Sequence, residues 1–177
     1  MIAGPNVDPD AARSGATLGE AASLGPVPLV SVIADVLQRV EPTLREHEAE
    51  VTIEGPLPVV VGQRVVVVQI VASLLVNAVT HVARGITPSV RMWADRAGPM
   101  VRLWLKDNGI GIAPENQERI FCPEGLAGAG VALAIARKGA ERMRGRIGVE
   151  STPGAGSSFW LELPLVAPRA AGDAAAE

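Results

Sequence analysis

Residues 101–112 read Val101-Arg102-Leu103-Trp104-Leu105-Lys106-Asp107-Asn108-Gly109-Ile110-Gly111-Ile112. The first half alternates apolar and polar residues, the pattern of a half-buried β-strand. The second half places an acid at the strand's mouth. Two glycines follow, which let the backbone turn tightly and lie close to a flat ligand. An aspartate so placed can accept a hydrogen bond from an exocyclic amine such as adenine N6. Asp-Asn-Gly is also ordinary turn chemistry, so the hexamer alone leaves open a simple β-turn after an edge strand.

Working outward, strands are expected near 89–95 and 100–107, joined by a turn at Arg96-Ala97-Gly98. A last hairpin is expected from 146–151 and 157–163 across Pro153-Gly154-Ala155-Gly156. Val51-Thr52-Ile53 and Pro58-Val59-Val60-Val61 read as short strands. Leu29, Val32, Ile33, Val36, Leu37, Val40 and Leu44 recur at helical spacing, with Pro42 predicting a kink or a new turn. Residues 63–82 open with the β-branched run Val65 to Val68, but their length and later Ala and Leu content favour a helix. Pro114 opens a short helix over about 114–121. Another spans about 129–144, with Leu133, Ala136, Ala140 and Met143 on one face and Gly145 closing it. Strand pairs with helices between them predict an α/β (α+β) sandwich: one mixed sheet with helices on one face. Residues 1–27, rich in Ala, Gly, Pro, Ser and Asp, read as a poorly structured linker or remnant. Residues 28–165 form the domain, and 166–177 a flexible tail.

Composition narrows the function. The chain has 177 residues, enough for one domain with a core. Its net charge of −3, the absence of tyrosine and the two phenylalanines, Phe121 and Phe159, argue against nucleic acid as a partner. The single cysteine, Cys122, excludes an intrachain disulfide and a cysteine-based zinc site. His47 and His81 cannot supply a histidine cluster. No apolar run approaches about 18 residues, and the start lacks a basic-then-apolar signal. A cytoplasmic chain without direct membrane insertion is expected.

Three segments can converge on one pocket. Asn77 lies on the helix expected over 63–82, where an amide oxygen can ligate magnesium, which favours hard oxygen donors and brings phosphates as further ligands. Ser73 lies one turn earlier on the same face. An isolated helical Asn is more often a solvated or capping residue, so Asn77 gains meaning only from its company. The Asp107 turn is the second segment. Gly128-Ala129-Gly130-Val131-Ala132-Leu133 is the third: glycines opening a helix expose N–H groups to phosphate oxygens, with the helix dipole in support.

In order and spacing these motifs resemble the catalytic, ATP-binding domain of bacterial sensor histidine kinases, within the superfamily shared with gyrase, Hsp90 and MutL. Leu74-Leu75-Val76-Asn77-Ala78 resembles the N box, and Asp107 to Ile112 matches the G1 box. Arg119-Ile120-Phe121-Cys122-Pro123 resembles the first half of the F box, and residues 128–133 the G2 box. Gly154 to Phe159, followed by Leu161-Glu162-Leu163-Pro164, resembles the closing hairpin. The resemblance covers roughly 27–165 and implies the two-layer Bergerat sandwich with a mixed, mostly antiparallel sheet. It implies that Asp107 receives the adenine amine, that Gly109 and Gly111 shape the base pocket and that Ser157 supports adenine through water. Asn77, with Ser73 beside it, would hold Mg2+, and Gly128 and Gly130 would meet the phosphates of ATP or ADP. The implied partners are a histidine-containing dimerisation domain and a response regulator.

The departures from that pattern bear on activity. Ser73 stands where the first N-box Asn is usual, Thr80 where a Lys or Arg is usual, Glu124 where the F box has a second Phe, and Ala132 at the third G2 glycine. Cys122 to Ala127, the shortened lid, contains no Lys or Arg. Residues 1–27 contain no histidine. His47 reads as solvated, His81 as packed and Cys122 as a partly buried inert thiol. The expectation is a domain that keeps base recognition and has weakened phosphate handling. It would bind Mg-ATP or ADP for phosphoryl transfer to a partner's histidine. As an alternative, it would be a non-catalytic interaction module that binds a kinase hairpin or a receiver domain. A serine kinase of the anti-sigma type is disfavoured, because Ser73 stands where a carboxylate is usual.

Overall fold

The computed structural model describes residues 23–123 and 129–166. In chain order these form β1 (Gly25–Pro28), α1 (Leu29–Glu46), β2 (Glu50–Glu54), β3 (Val59–Gly62), α2 (Arg64–Thr80), β4 (Ser89–Ala97) and β5 (Met100–Asp107). There follow the one-turn helix α3 (Pro114–Gln117), a 3-10 turn over Arg119–Phe121, α4 (Ala129–Arg142), β6 (Arg146–Ser151) and β7 (Ser157–Pro164). A five-stranded sheet has the order β2-β4-β5-β7-β6, with β2 parallel to β4 and the other pairs antiparallel. The expected mixed sheet with helices on one face is what the chain builds. No helix among the described residues is long and apolar enough to cross a membrane.

The layers follow from side-chain periodicity. Along β5, Val101, Leu103, Leu105 and Asp107 are buried, and Arg102, Trp104 and Lys106 point to the other face. On α1, Leu29, Val32, Ile33, Val36 and Val40 are buried, one stripe at three- and four-residue steps. The helix continues through Pro42 and ends where Glu48 takes the left-handed conformation, φ 51°. α2 is apolar nearly all round because it packs on the sheet and between α1 and α4, so its β-branched opening is overridden by burial. Val67, Val71, Leu74, Leu75 and Val79 on it are almost fully enclosed.

Three expectations shift. Residues 25–28 are not linker: they form β1, antiparallel to β3 in a separate two-stranded sheet, with Val27 3% exposed in the core. The β4–β5 strands run on to Ala97, so the turn falls at Gly98–Pro99, with Gly98 at φ 62°. The left-handed residue closing α4 is Arg144, φ 58°, and Gly145 instead returns its N–H to the Ala140 carbonyl at 2.9 Å.

Candidate functional site

Asp107 ends β5 on the helix-facing side and is 6% exposed. Its Oδ1 accepts two backbone N–H groups, from Gly109 at 2.8 Å and from Ser157 at 2.9 Å. The first closes a local turn of the kind an aspartate makes with the residue two ahead. The second crosses to β7 and ties the closing hairpin to the same oxygen. Oδ2 has no protein partner among the described residues, and no buried side-chain oxygen among them is left both enclosed and unpaired. The free oxygen is therefore the one that faces the cavity. Burial pushes the Asp107 carboxyl above its ordinary range. The Gly109 and Ser157 N–H groups and the charge of His81 pull the other way without cancelling it.

The backbone around this carboxylate is close-packed. Gly111 has φ 73° and Gly156 φ 81°. A side chain at Gly111 would strike the Thr152 carbonyl, and one at Gly156 the Asp107 carbonyl. These two glycines thus let the turn after β5 and the β6–β7 hairpin lie against each other. Gly154 N–H donates to the Ile110 carbonyl at 2.8 Å, which stitches the two loops together.

A cavity of about 260 Å³ opens above Asp107. Ile110, Ile112, Ile120, Leu133 and Phe159 give it apolar walls, and Asn77, His81, Asp107, Asn116 and Ser157 bring polar groups. Among the described residues that line it there is no Lys or Arg. An apolar slot with one convergent carboxylate suits a flat, amine-bearing heterocycle. Asn77 is half-buried, and its side-chain amide makes no hydrogen bond to the described residues. Its carbonyl accepts the His81 N–H at 3.2 Å, and His81 Nδ1 lies 2.9 Å from the same oxygen. A larger groove of about 610 Å³ lies between α2 and α4, lined by Val66, Ile70, Ser73, Ile135, Lys138 and Arg142 among others. It contains none of the convergent buried polar groups, so the smaller cavity is where the chemistry assembles.

The structure thus brings together Asn77, Asp107, Gly111 and Ser157, with Gly109 bonded to Asp107. Ser73 falls elsewhere: its Oγ donates to the Gln69 carbonyl at 3.0 Å and it lines the α2–α4 groove. One helical turn, a rise of about 6 Å along α2, separates it from Asn77 and places it in the neighbouring groove instead of the cavity. Gly130 is the second residue of α4, and Gly128 lies outside the described residues, as does Glu124. Thr80 turns back on its own helix, donating to the Val76 carbonyl at 2.9 Å. His81 is exposed at the cavity rather than packed, because it caps the end of α2. Cys122 is exposed rather than partly buried. His47 Nδ1 sits 3.0 Å from the Thr43 carbonyl at the end of α1. Sequence reasoning missed the support of the Ser157 strand. Ser151 Oγ lies 2.9 Å from Ser157 Oγ and accepts the Ile112 N–H at 2.8 Å. Gln117 Nε2 donates to the Ser151 carbonyl at 2.8 Å. No motif marks Ser151 or Gln117; only the pairing of β6 with β7 puts them there.

Comparison with known proteins agrees with this geometry. A family model described as histidine kinase-, DNA gyrase B-, and HSP90-like ATPase matches residues 62–167. The phytochrome-like protein Cph1 of Synechocystis sp. is 33% identical over 140 residues, 75% of this chain and 18% of that protein. The sensor-like histidine kinase SenX3 of Mycobacterium tuberculosis is 32% identical over 146 residues, 77% of this chain and 35% of that protein. The chain therefore matches well under half the length of these relatives. Full-length ShkA, solved in complex with AMPPNP, superposes with a TM-score of 0.72 at 31% identity, over 82% of this chain and 32% of that one.

Proposed function

The chain belongs to the histidine kinase-, DNA gyrase B- and HSP90-like ATPases, as the ATP-binding catalytic domain of a sensor histidine kinase, and on that premise we propose that the Asp107 cavity takes the adenine and that Asn77 holds magnesium. The observation that carries this reading is the division of labour within one carboxylate. Two backbone donors fix Oδ1, and Oδ2 is left for an amine entering the cavity. Gly109 and Gly111 shape the turn beneath the base. Ser157, held by Ser151, stands where it can reach the ring through a water. Asn77 fits a metal that keeps most of its ligands as water and phosphate oxygens, because it offers a single oxygen not engaged by the protein. When bound, magnesium would neutralise phosphate charge. Gly130, and Gly128 before it, would offer N–H groups to the phosphates.

The full activity we propose is transfer of the γ-phosphate to a histidine on a dimerisation domain, and onward to a response regulator. Catalysis of that kind is mostly positioning and charge stabilisation. The cation-free lining of the cavity supports a weakened phosphate-handling half, which also favours the second reading, a non-catalytic module docking on a kinase hairpin or receiver domain. Calorimetry with ADP and magnesium separates these. Binding is expected, and Asp107→Asn is expected to weaken it by roughly 10- to 100-fold, the cost of a lost charge-assisted hydrogen bond. No binding at millimolar ADP, or an unaffected Asp107→Asn, sinks the nucleotide assignment. ATP is expected to bind no more than a few-fold tighter than ADP, a difference below about 1 kcal/mol. Incubated with labelled ATP, the isolated chain should take up no acid-labile label on His47 or His81.

A further inference from the structure

We propose that the open face of the five-stranded sheet docks a second copy of this chain, about a two-fold axis running parallel to the strands between β5 and β7. All three tryptophans of the chain lie on this face, and in one row. In register, Trp93 stands opposite Trp104, Trp104 opposite Trp160, and Trp160 opposite Gly148. Trp93 and Trp104 stack at 5.8 Å, and Arg102 lies over both Trp104 and Trp160 at 5.5 and 4.6 Å. Trp160 spreads over Gly148, where any side chain would collide with the ring. The rings are half-buried along their edges, and among the described residues no helix packs over them.

The rows on either side choose the partner. One reads Arg91, Lys106, Ser158, Glu150 across β4, β5, β7 and β6; the other reads Asp95, Arg102, Glu162, Arg146 across the same strands. Rotation about the stated axis lays β4 on β6 of the second copy and β5 on β7, with each row facing itself reversed. Arg91 then meets Glu150 of the other copy and Asp95 meets Arg146, each twice over. Trp104 meets Trp160. The second charged row alternates in sign, so its reversal is its own complement, and the first row has its cations and its anion at opposite ends. An unrelated partner would have no reason to find both rows matched in this way. Within the chain Arg102 and Arg146 are already joined to Glu162, Arg91 to Glu54, and Asp95 to the Trp93 indole N–H. Among the described residues the Nη1 of each outer arginine is unengaged, and it is this group that Glu150 and Asp95 of the other copy would meet. The four overlapping strands and three rows of side chains span roughly 20 by 15 Å, the footprint of a weak, transient contact rather than of a stable interface, so dissociation on the order of 10–100 µM is expected.

Sedimentation equilibrium of the full chain from about 5 to about 500 µM brackets that range. The wild type should pass from monomer to dimer, and the tryptophan emission should shift to the blue across the same concentrations. Arg91→Glu alone and Glu150→Arg alone should each stay monomeric, with unchanged far-ultraviolet circular dichroism and ADP binding. An equimolar mixture of the two should dimerise as the wild type does, because both cross pairs are then of opposite charge. A wild type that stays monomeric overturns the proposal. So does association without the emission shift, or single variants that still dimerise, or a mixture no better than its components.

Discussion

Two buried carboxylates sit on opposite faces of one sheet and are treated in opposite ways. Asp107, on the helix-facing side, has two N–H dipoles and the more distant charge of His81 for company, and one oxygen is left free. Burial wins there, and its carboxyl is raised from the ordinary 3.8. Glu162, on the open face and 1% exposed, is gripped on both oxygens. Arg146 donates at 2.6 and 3.0 Å to one, and Arg102 at 2.8 and 3.2 Å to the other. Burial is the largest single influence on Glu162 too, and it pushes upward, but the two guanidiniums outweigh it and hold the carboxyl below 4.5. One acid is kept hungry for a donor, and the other is satisfied. The first serves a ligand, and the second serves the fold.

The sharpest break of that contrast is Gly156→Ala. A methyl there meets the Asp107 carbonyl at a positive φ, and should cost roughly 3 kcal/mol through strain and collision. Urea titration would read the loss, and nucleotide binding should fall with it, because Ser157 and the Asp107 loop move apart. Next is Glu162→Ala, which strands two guanidiniums that can still reach water. Charged hydrogen bonds of this kind argue for about 2 kcal/mol. ADP affinity should be untouched, and a fall in affinity as large as that of Asp107→Asn would end the division between the two acids. Asp107→Asn should do the reverse, with ADP binding weakened by roughly 10- to 100-fold and the unliganded fold as stable as wild type or more so at pH 7. The Asn oxygen can still accept the same two N–H groups without burying a charge.

The smallest effect is on pH dependence. Glu162 has a lowered folded value, so its stabilisation is present above 4.5 and is lost as pH falls through the folded value. Asp107 has a raised one, so its stabilisation is complete below 3.8 and is lost as pH rises through the folded value. Glu162→Gln should flatten the acid limb of stability against pH, and Asp107→Asn should remove the opposing slope. Identical profiles for the two variants would erase the comparison.

What could be read beforehand was local. The Asp107-Asn108-Gly109-Ile110-Gly111 turn announces itself because its hydrogen bond spans two residues. The stripe on α1 does so because helical period and burial coincide. Nonlocal pairing was illegible. Pro26 and Pro28 argue against a strand, yet β1 forms on an edge where missing N–H groups are tolerated. Ser73 shares a helix face with Asn77 but not the cavity, because the rise of one turn, about 6 Å, carries it past the cavity's edge. By sequence Glu162 is legible only as part of the closing hairpin, and only the register with β5 and β6 reveals the two arginines that enclose it. The tryptophan row is likewise invisible until three distant strands are aligned.

The short strand β3 has a mechanical consequence. On one side it pairs with β1, where the described chain enters; on the other, Val60 bridges Leu165 and the Val59 carbonyl accepts the Val166 N–H, where it leaves. The chain enters at the Gly62 end of β3 and leaves past its Val59 end, so a pull between the two ends loads the bonds of one four-residue strand in shear. On the exit side the load also enters the five-stranded sheet, because β7 runs directly into Leu165. β3 itself continues through Gln63 into α2, the helix that carries Asn77 to the cavity. Tension at the ends of the domain thus reaches the cavity wall by two routes, through β3 into α2 and Asn77 and through β7 to Phe159 and Ser157.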